Sequence, residues 1–222
     1  MPPIPRWKRL LSYFFEFHIE SAPSDLNPHL YVSLNRGRYQ LSTANAVYSF
    51  ADLYDNFSKA FQRLQPAQLP INEVLLLGFG LGSIPLMLEK KFHCRFRYTG
   101  VEADESVIWL AGKYALPELE SPIELHCADA YAYVFSTEER FDLICMDVFL
   151  DDQVPEEFTQ TDFLEALRDL LLPGGVLLYN RLSATEEDRS LSESFWKNAF
   201  LKVFPQGERW DFDGNWILKA QV

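Results

Sequence analysis

Cysteine is scarce in this sequence, with three residues among 222. Their odd number, their wide separation and the lack of a Cys-x-x-Cys pair argue against a disulfide framework and against a cysteine zinc site. Cys127 and Cys145 fall within strand-like runs, so both are expected to be inert residues of the core. The four histidines have no metal-ligand spacing, and we expect no metal site among them: His18, His29, His93 and His126.

The sequence also lacks long apolar runs and an excess of positive charge. Its apolar stretches, such as Val74 to Leu77, have the length of a strand, and a signal-peptide pattern is absent from the first residues. Twenty Lys and Arg against 32 Asp and Glu give a net charge of −12, which repels phosphate groups. We therefore expect a soluble protein of a reducing compartment, the cytoplasm, with neither nucleic acid nor membrane as a partner.

Apolar residues make up 48% of the chain, enough for a full core. The first part reads as a small β-rich lobe, with strands at Tyr13 to Glu20, Leu30 to Leu34 and Arg38 to Leu41. A spacing of three and four then predicts a helix from Val47 through Tyr54 to Leu64. The linker Gln65 to Pro70 ends this region, so we expect two domains, residues 1–68 and 69–222.

After Pro70 strand-like and helix-like segments alternate. Five strands are predicted, each followed by a helix: Glu73 to Leu77, Phe96 to Glu102, Ile123 to Cys127, Phe141 to Asp147 and Gly175 to Asn180. Asp213-Gly214 near the end is a strong hairpin signal. The pattern predicts an α/β fold with a doubly wound, Rossmann-like sheet and a C-terminal antiparallel hairpin, preceded by the small N-terminal β-rich lobe.

Three glycines, Gly78, Gly80 and Gly82, follow the first of these strands. Glycine lets the chain turn tightly and lets a ligand approach the amides of a helix N-terminus. Ser83 stands where a dinucleotide fingerprint has its third glycine, which makes NAD less favoured, and no P-loop lysine follows. The loop predicts a nucleotide-like ligand, and a tight turn that binds nothing is the alternative.

Two carboxylates follow the next two strands. Glu102 ends the second strand, where it can accept hydrogen bonds from ribose hydroxyls, or it is an ordinary solvated residue at a helix start. Asp129 follows the third strand, where it can accept from an adenine amino group, or it caps the next helix.

These residues carry a resemblance to the class I S-adenosylmethionine-dependent methyltransferase fold, and within it to the spermidine synthases, the polyamine aminopropyltransferases. The motifs that resemble the family are Gly100-Val-Glu-Ala-Asp104, Ala128-Asp-Ala130, Phe141-Asp-Leu-Ile-Cys-Met-Asp147 and Leu172-Pro-Gly-Gly-Val176. The resemblance implies a site for S-adenosylmethionine or decarboxylated S-adenosylmethionine. Besides the three glycines, Glu102 and Asp129, this site would include Gln40, Ala103 and Ala130. The resemblance also suggests a homodimer.

The family's active-site acid falls on Asp147, where it would serve as general base or electrostatic anchor for the attacking amine. Tyr48 is matched at the acceptor site, and Asp151 or Asp152 would stand in for a second acid, because Leu150 occupies its position. Leu81 replaces a usual Asp of the loop, and Ser49-Phe50 replaces His-Glu. These departures leave open a small-molecule methyltransferase without polyamine activity.

Acidic residues follow the fourth and fifth strands, at Asp151, Asp152, Glu156 and Glu157 and at Glu186, Glu187 and Asp188. They would attract a cationic acceptor, or they simply begin helices, where carboxylates meet the helix dipole favourably. The sequence thus predicts a transferase that moves an aminopropyl or methyl group to a small acceptor such as a cationic amine. A non-catalytic binding protein on the same scaffold is the alternative from another class.

Overall fold

The computed structural model describes residues 4–27, 29–44, 46–149 and 153–222 of the chain. A short helix, α1 (Arg6–Leu11), precedes an antiparallel sheet whose four strands pair in sequence order: β1 (Phe17–Ala22), β2 (Leu30–Asn35), β3 (Arg38–Ser42) and β4 (Val47–Ser49). The predicted N-terminal β-rich lobe is confirmed.

The predicted strand at Tyr13 to Glu20 is wrong at its start. The backbone N–H groups of Tyr13 and Phe14 donate to the carbonyl oxygens of Leu10 and Leu11, at 3.3 and 3.0 Å. These bonds continue the winding of α1 as a turn, so β1 begins only at Phe17.

The predicted helix from Val47 is wrong in its first two turns. Val47 and Ser49 pair with β3, a short 3₁₀ segment covers Ala51–Leu53, and helix α2 spans Asp55–Leu64. Ala51 has a positive φ of 46°, which an α-helix does not contain. The apolar residues of this segment are spaced as in one helix, but they belong to a strand and a separate helix that follow one another along the chain.

The second sheet has seven strands. Five are parallel, namely β5 (Glu73–Leu77), β6 (Arg97–Glu102), β7 (Ile123–Cys127), β8 (Phe141–Met146) and β9 (Leu171–Leu182). Two more, β10 (Glu208–Asp211) and β11 (Asn215–Gln221), form an antiparallel hairpin that adds to β9. The order β10-β11-β9-β8-β5-β6-β7 confirms the predicted doubly wound sheet with a terminal hairpin.

Helices cover both faces of this sheet: α3 (Ser83–Lys90), α4 (Glu105–Tyr114), α5 (Ala130–Ser136), α6 (Thr161–Asp169), α7 (Glu186–Phe195) and α8 (Leu201–Val203), with one π-helical turn at Trp196–Phe200. Successive residues of β5 serve opposite faces, so Val74 and Leu76 belong to one core cluster and Leu75 and Leu77 to the other. The first cluster also contains Leu41 of β3. The N-terminal sheet therefore shares a core with the larger one, and a domain boundary at residue 68 stays a prediction.

The three cysteines have different environments. Cys145 is buried at the centre of the sheet, as expected, and burial raises the pKa of its thiol. Cys127 is exposed, so its prediction as a core residue is wrong. The reason is that β7 is the edge strand of the sheet. Among the residues described, no helix is long and apolar enough to cross a membrane.

Candidate active site

A cavity of about 1070 Å³ opens at the carboxyl ends of the parallel strands. The segments that follow β5, β6, β7, β8 and β9 all contribute to its wall, and residues 46–50 of the N-terminal lobe cover it. Small-molecule sites in proteins occupy about 300 to 1,000 Å³. This cavity therefore has room for a nucleotide-sized ligand together with a second small molecule.

The glycine loop forms the floor of the cavity. Gly78, Gly80 and Gly82 all have positive φ, at 83°, 54° and 68°. Gly78 and Gly80 line the cavity, whereas Gly82 lies outside its lining and caps the N-terminus of α3. The predicted tight strand-to-helix turn is present, and residues with a side chain would adopt these angles only with strain.

Glu102 lies at the cavity wall beside this loop. Its Oε2 accepts a hydrogen bond from the backbone N–H of Gly80 at 3.0 Å, and its Oε1 accepts one from that of Asp104 at 3.1 Å. Burial raises the pKa of Glu102, and the two backbone donors oppose this shift. A carboxylate has about four acceptor positions, so it can still bind hydroxyl groups while it holds the loop. Its role in binding ribose stays a prediction.

Asp129 and Ala130 follow β7 and line the cavity, and so does Ala103, which follows β6. Asp129 Oδ1 accepts from the backbone N–H of Ala132 at 2.8 Å and caps α5. The two readings of Asp129 are therefore compatible, because one oxygen caps the helix while the residue borders the cavity.

Asp147 follows β8 directly and is the centre of a polar chain. Its Oδ1 accepts from Asn180 Nδ2 at 2.8 Å and from the Tyr54 hydroxyl at 3.3 Å. Asn215 Nδ2 in turn donates to Asn180 Oδ1 at 3.0 Å, which directs the amide nitrogen of Asn180 to the acid. Burial raises the pKa of Asp147 to about 6, although both donors oppose the shift. A carboxyl with this pKa is largely ionised at neutral pH and can accept a proton.

Two serines join the N-terminal lobe to the glycine loop, and we call this pair, Ser49 and Ser83, the serine clasp. Their Oγ atoms lie 2.6 Å apart, Ser49 Oγ accepts from the backbone N–H of Leu81 at 3.1 Å, and Ser83 Oγ accepts from that of Phe50 at 3.0 Å. Both serines are buried. The clasp therefore holds β4 against the glycine loop, and both of its serines line the cavity.

Tyr48 lines the cavity next to the clasp. Its hydroxyl donates to Asn27 Oδ1 at 2.9 Å, and Asn27 Nδ2 donates to Asp104 Oδ2 at 2.7 Å. Asp104 also caps α4 by accepting from the backbone N–H of Ser106. Tyr48 is thereby tied to the end of β6, and its role in binding an acceptor stays a prediction.

The structure does not bring Gln40 into this site. Gln40 is buried in the N-terminal sheet, where its Oε1 accepts from Asn35 Nδ2 and its Nε2 donates to Ser42 Oγ, both at 3.0 Å. Gln40 is absent from the cavity lining, so the expected cofactor contact finds no support here. Asp151 and Asp152 lie outside the described residues.

The acidic residues around the opening serve both of the roles considered. Glu186, Glu187 and Asp188 form the first turn of α7, where Thr185 and Asp188 make a capping box. Glu187 and Asp188 also line the cavity, as does Glu157 from the segment after β8. Glu187 and Asp188 therefore begin a helix and also contribute to an acidic rim of the cavity.

Sequence reasoning missed two neighbours of Asp147. Tyr54 was assigned to the apolar face of a helix, and Asn180 was treated only as the end of the fifth strand. The sequence offered one signal for Asn180. It is a polar residue at the end of the predicted strand that follows the strand ending in Asp147. Among the described residues, no group of three or more His, Cys, Asp or Glu side chains is placed to hold a metal ion.

Comparisons with solved structures agree with this architecture. The spermidine synthase from Thermotoga maritima has a TM-score of 0.70 at 18% identity, over 92% of this chain and 72% of that one. Human methyltransferase-like protein 13, solved in complex with SAH, has a TM-score of 0.58 at 25% identity, over 70% of this chain and 73% of that one. The first likeness shows the fold alone.

Sequence comparisons give the family. A probable polyamine aminopropyl transferase from Bifidobacterium longum is 29% identical over 136 residues, which are 61% of this chain and 30% of that protein. The chain thus matches less than a third of that relative's length. The sequence profile described as "Spermine/spermidine synthase domain" matches residues 65–206. Because this match covers more than half of the 222 residues, the chain belongs to the spermine/spermidine synthase family.

Proposed function

We propose that this protein is a transferase that uses S-adenosylmethionine, or its decarboxylated form, to alkylate a small amine or another nucleophile. The observation that carries the proposal is the position of Asp147. This acid, with a pKa raised to about 6, shares one cavity with the glycine loop and Glu102. A molecule bound beside the glycine loop and Glu102 would therefore share its cavity with a proton acceptor.

The residues present fit a sulfonium nucleoside. Gly78 and Gly80 add no side chain to the cavity lining, and Glu102 and Asp129 offer carboxylates at the ends of two neighbouring strands, β6 and β7. When bound, the cofactor supplies a carbon atom activated by the neighbouring sulfonium. In the proposal Glu102 accepts from the ribose hydroxyls, and Asp129 and Ala130 border the base.

The chain's contribution to the reaction is orientation and proton transfer. The carboxylate of Asp147 accepts a hydrogen bond from the attacking amine. It takes up that proton as the nitrogen–carbon bond forms. Asn180 and Tyr54 hold the carboxylate in one orientation, since both donate to the same oxygen. Tyr48 and both serines of the clasp line the same cavity.

A methyl transfer is the second candidate. Leu81 is buried in the loop, at 2% exposure, and Ser49 is occupied by the clasp, so neither offers a polar group to a polyamine. The likeness to methyltransferase-like protein 13, which binds SAH, also favours this candidate.

Calorimetry with three ligands tests the proposal and separates the candidates. S-adenosylmethionine, its decarboxylated form and methylthioadenosine are each titrated into the protein. Preference for the decarboxylated form supports aminopropyl transfer, and preference for the carboxylated form supports methyl transfer. If none of the three binds, the proposed function is wrong and the non-catalytic alternative remains.

A variant of the cavity wall makes this test specific. Glu102→Ala removes the carboxylate that faces the glycine loop, so we expect methylthioadenosine binding to weaken by about 1 to 3 kcal/mol. Glu105→Ala, three residues further along and outside the cavity lining, is the matched control. Equal affinities for both variants would show that Glu102 takes no part in nucleoside binding.

A further inference from the structure

Arg181 is a buried cation that the mechanism above does not use. It follows Asn180 in β9, has 6% of its surface exposed, and lines the cavity. Its Nε and Nη1 atoms are buried and have no hydrogen-bond partner. Arginine is almost never buried without a partner, because the desolvation of its charge is costly.

No acidic group within the described residues compensates this charge by contact. Arg181 forms no ion pair within 4.0 Å there, and its guanidinium carbon lies 4.7 Å from the centre of the Phe195 ring. The Tyr179 hydroxyl and Asp188 lie within electrostatic range of Arg181. The hydroxyl, however, donates to the carbonyl oxygen of Phe158 at 2.8 Å, and Asp188 Oδ2 accepts from the backbone N–H of Thr185 at 3.0 Å. The cavity is therefore where a counter-charge for Arg181 can be placed.

The strand order separates Arg181 from the residues proposed to bind the nucleoside, namely the glycine loop, Glu102 and Asp129. β9 lies next to β8, which leads to Asp147, and two strands away from β5, which leads to the glycine loop. Neighbouring strands are about 4.8 Å apart, so Arg181 lies roughly 10 Å across the sheet from the strand of the loop. This places Arg181 on the side of Asp147 where an acceptor, not the nucleoside, would lie.

The charges at this end of the cavity are mixed. Glu157 and Glu187 line the same cavity as Arg181, and Asp147 follows β8, the strand between β9 and β5. A bare diamine would leave the guanidinium unpaired, and a bare dianion would face the carboxylates. A molecule with one amine and one anionic group matches both kinds of side chain.

We propose that Arg181 forms an anion subsite at the acceptor end of the cavity, and that the acceptor carries an anionic group, a carboxylate or a phosphate, together with its nucleophilic amine. The inference rests on the proposed function, which it deepens by naming the acceptor class. The anionic group pairs with Arg181 while the amine lies at Asp147. The guanidinium, which donates in a planar arrangement, suits such a group.

The test uses three molecules that share a four-carbon chain: putrescine with two amines, 4-aminobutyrate with an amine and a carboxylate, and succinate with two carboxylates. Each is titrated calorimetrically into the full chain, both unloaded and saturated with S-adenosylhomocysteine. We expect loaded wild-type protein to bind 4-aminobutyrate at least tenfold more tightly than putrescine.

Variants assign this preference to the guanidinium. Arg181→Met is expected to lose the preference, and Arg181→Lys, which keeps the charge, to retain part of it. Arg63→Met is the matched control, because the Arg63 guanidinium lies at the same 4.7 Å from an aromatic ring, that of Trp210, outside the cavity. Should Arg181→Met fail to fold, judged by its circular dichroism, Arg181→Lys and Arg181→Gln make the comparison.

Three results would overturn the subsite. Wild-type protein could prefer putrescine, or Arg181→Met could keep the preference for 4-aminobutyrate. Arg181→Met could also weaken S-adenosylhomocysteine and leave 4-aminobutyrate unchanged, which would assign the guanidinium to a cofactor carboxylate. Failure of the proposed function gives a different signature, since wild-type protein would then bind no S-adenosylhomocysteine while the titrations of unloaded protein still report on Arg181.

Discussion

A Cβ atom on Gly78 would lie 2.3 Å from the backbone carbonyl oxygen of Asp147. The first glycine of the loop is therefore required by the chain itself, because the end of β8 passes directly over it. This close approach brings the acid and the loop into one cavity. The positive φ of Gly78, 83°, adds a second reason against any side chain.

Gly78→Ala should thus be strongly destabilising. The substitution combines a clash with backbone atoms and a left-handed residue, which alone costs about 1 to 2 kcal/mol. We expect a loss of at least about 2 kcal/mol in the free energy of unfolding, measured by urea denaturation. Gly112→Ala is the control, since nothing lies within 4 Å of its Cβ position in α4. It should be neutral or stabilising by up to about 1 kcal/mol. Equal effects at both sites would contradict the close approach.

Asp147→Asn should spare cofactor binding and lower turnover by about 100-fold or more, the usual contribution of a general base. In the wild type the base is active when ionised. With a pKa of about 6 for Asp147, the rate should fall as pH is lowered through 6 and reach a plateau above it. The check is a pH profile of kcat together with the affinity for S-adenosylhomocysteine. Full activity of the variant would remove Asp147 from the proposed reaction.

The same acid makes folding stability depend on pH. Its pKa rises from 3.8, the ordinary value of an exposed Asp, to about 6 in the folded protein, so the folded state binds the proton more tightly. This contribution is fully present below 3.8 and is lost as pH rises through 6. At pH 8 Asp147→Asn should therefore be more stable than the wild type by about 1 to 3 kcal/mol. The difference should shrink toward pH 4, and a constant difference across this range would be contrary to the raised pKa.

Tyr54→Phe should shift the pH profile upward. The variant removes one of the two side-chain donors that lower the pKa of Asp147, so the acid should lose its proton at a higher pH than in the wild type. Tyr98→Phe is the control, because the Tyr98 hydroxyl is also buried but has no hydrogen-bond partner. An unchanged midpoint for Tyr54→Phe would mean that Tyr54 acts only in packing.

Ser83→Ala should weaken the serine clasp. It leaves the backbone N–H of Phe50 without its acceptor and Ser49 without its partner. Unsatisfied buried groups cost about 1 to 3 kcal/mol each, so we expect a loss of this size in unfolding free energy. Ser33→Ala, at a buried hydroxyl without a partner, should change stability by no more than about 0.5 kcal/mol. A double-mutant cycle with Ser49→Ala measures the coupling, and additive effects would argue against a direct contact.

Much of the fold could be predicted because, in the seven-stranded sheet, the pattern of apolar residues matches the local structure. Val74 to Leu77 form a continuous apolar run, as expected for a parallel strand covered on both faces, and the glycines follow at once. Asp213-Gly214 marked the terminal hairpin for a similar reason, since both residues adopt the positive φ of a tight turn.

The errors occurred where tertiary contacts override local patterns. The segment from Val47 to Leu53 has helical spacing, but Val47 and Ser49 pair with β3, and Ser49 also contacts Ser83, 34 residues further on. Cys127 appeared to be a core residue because a sequence does not show which strand lies at the edge.

The common location of Glu102 and Asp147 was predictable, because the strands that lead to them end at one edge of the sheet. Tyr54 was not, since its contact to Asp147 spans 93 positions of the chain. Arg181 was missed for the same reason, because nothing in the sequence shows that two of its guanidinium nitrogens lie without a hydrogen-bond partner at the end of β9.

The hydrogen bond from Asn215 to Asn180 has a consequence for the order of folding. Asn215 is the first residue of β11, so the polar chain around Asp147 is completed only when the terminal hairpin has paired with β9. A folding intermediate that has formed β5 to β9 but not β11 would hold the acid beside an amide of undefined orientation. Reactivity at this site should therefore appear late, together with the docking of the hairpin.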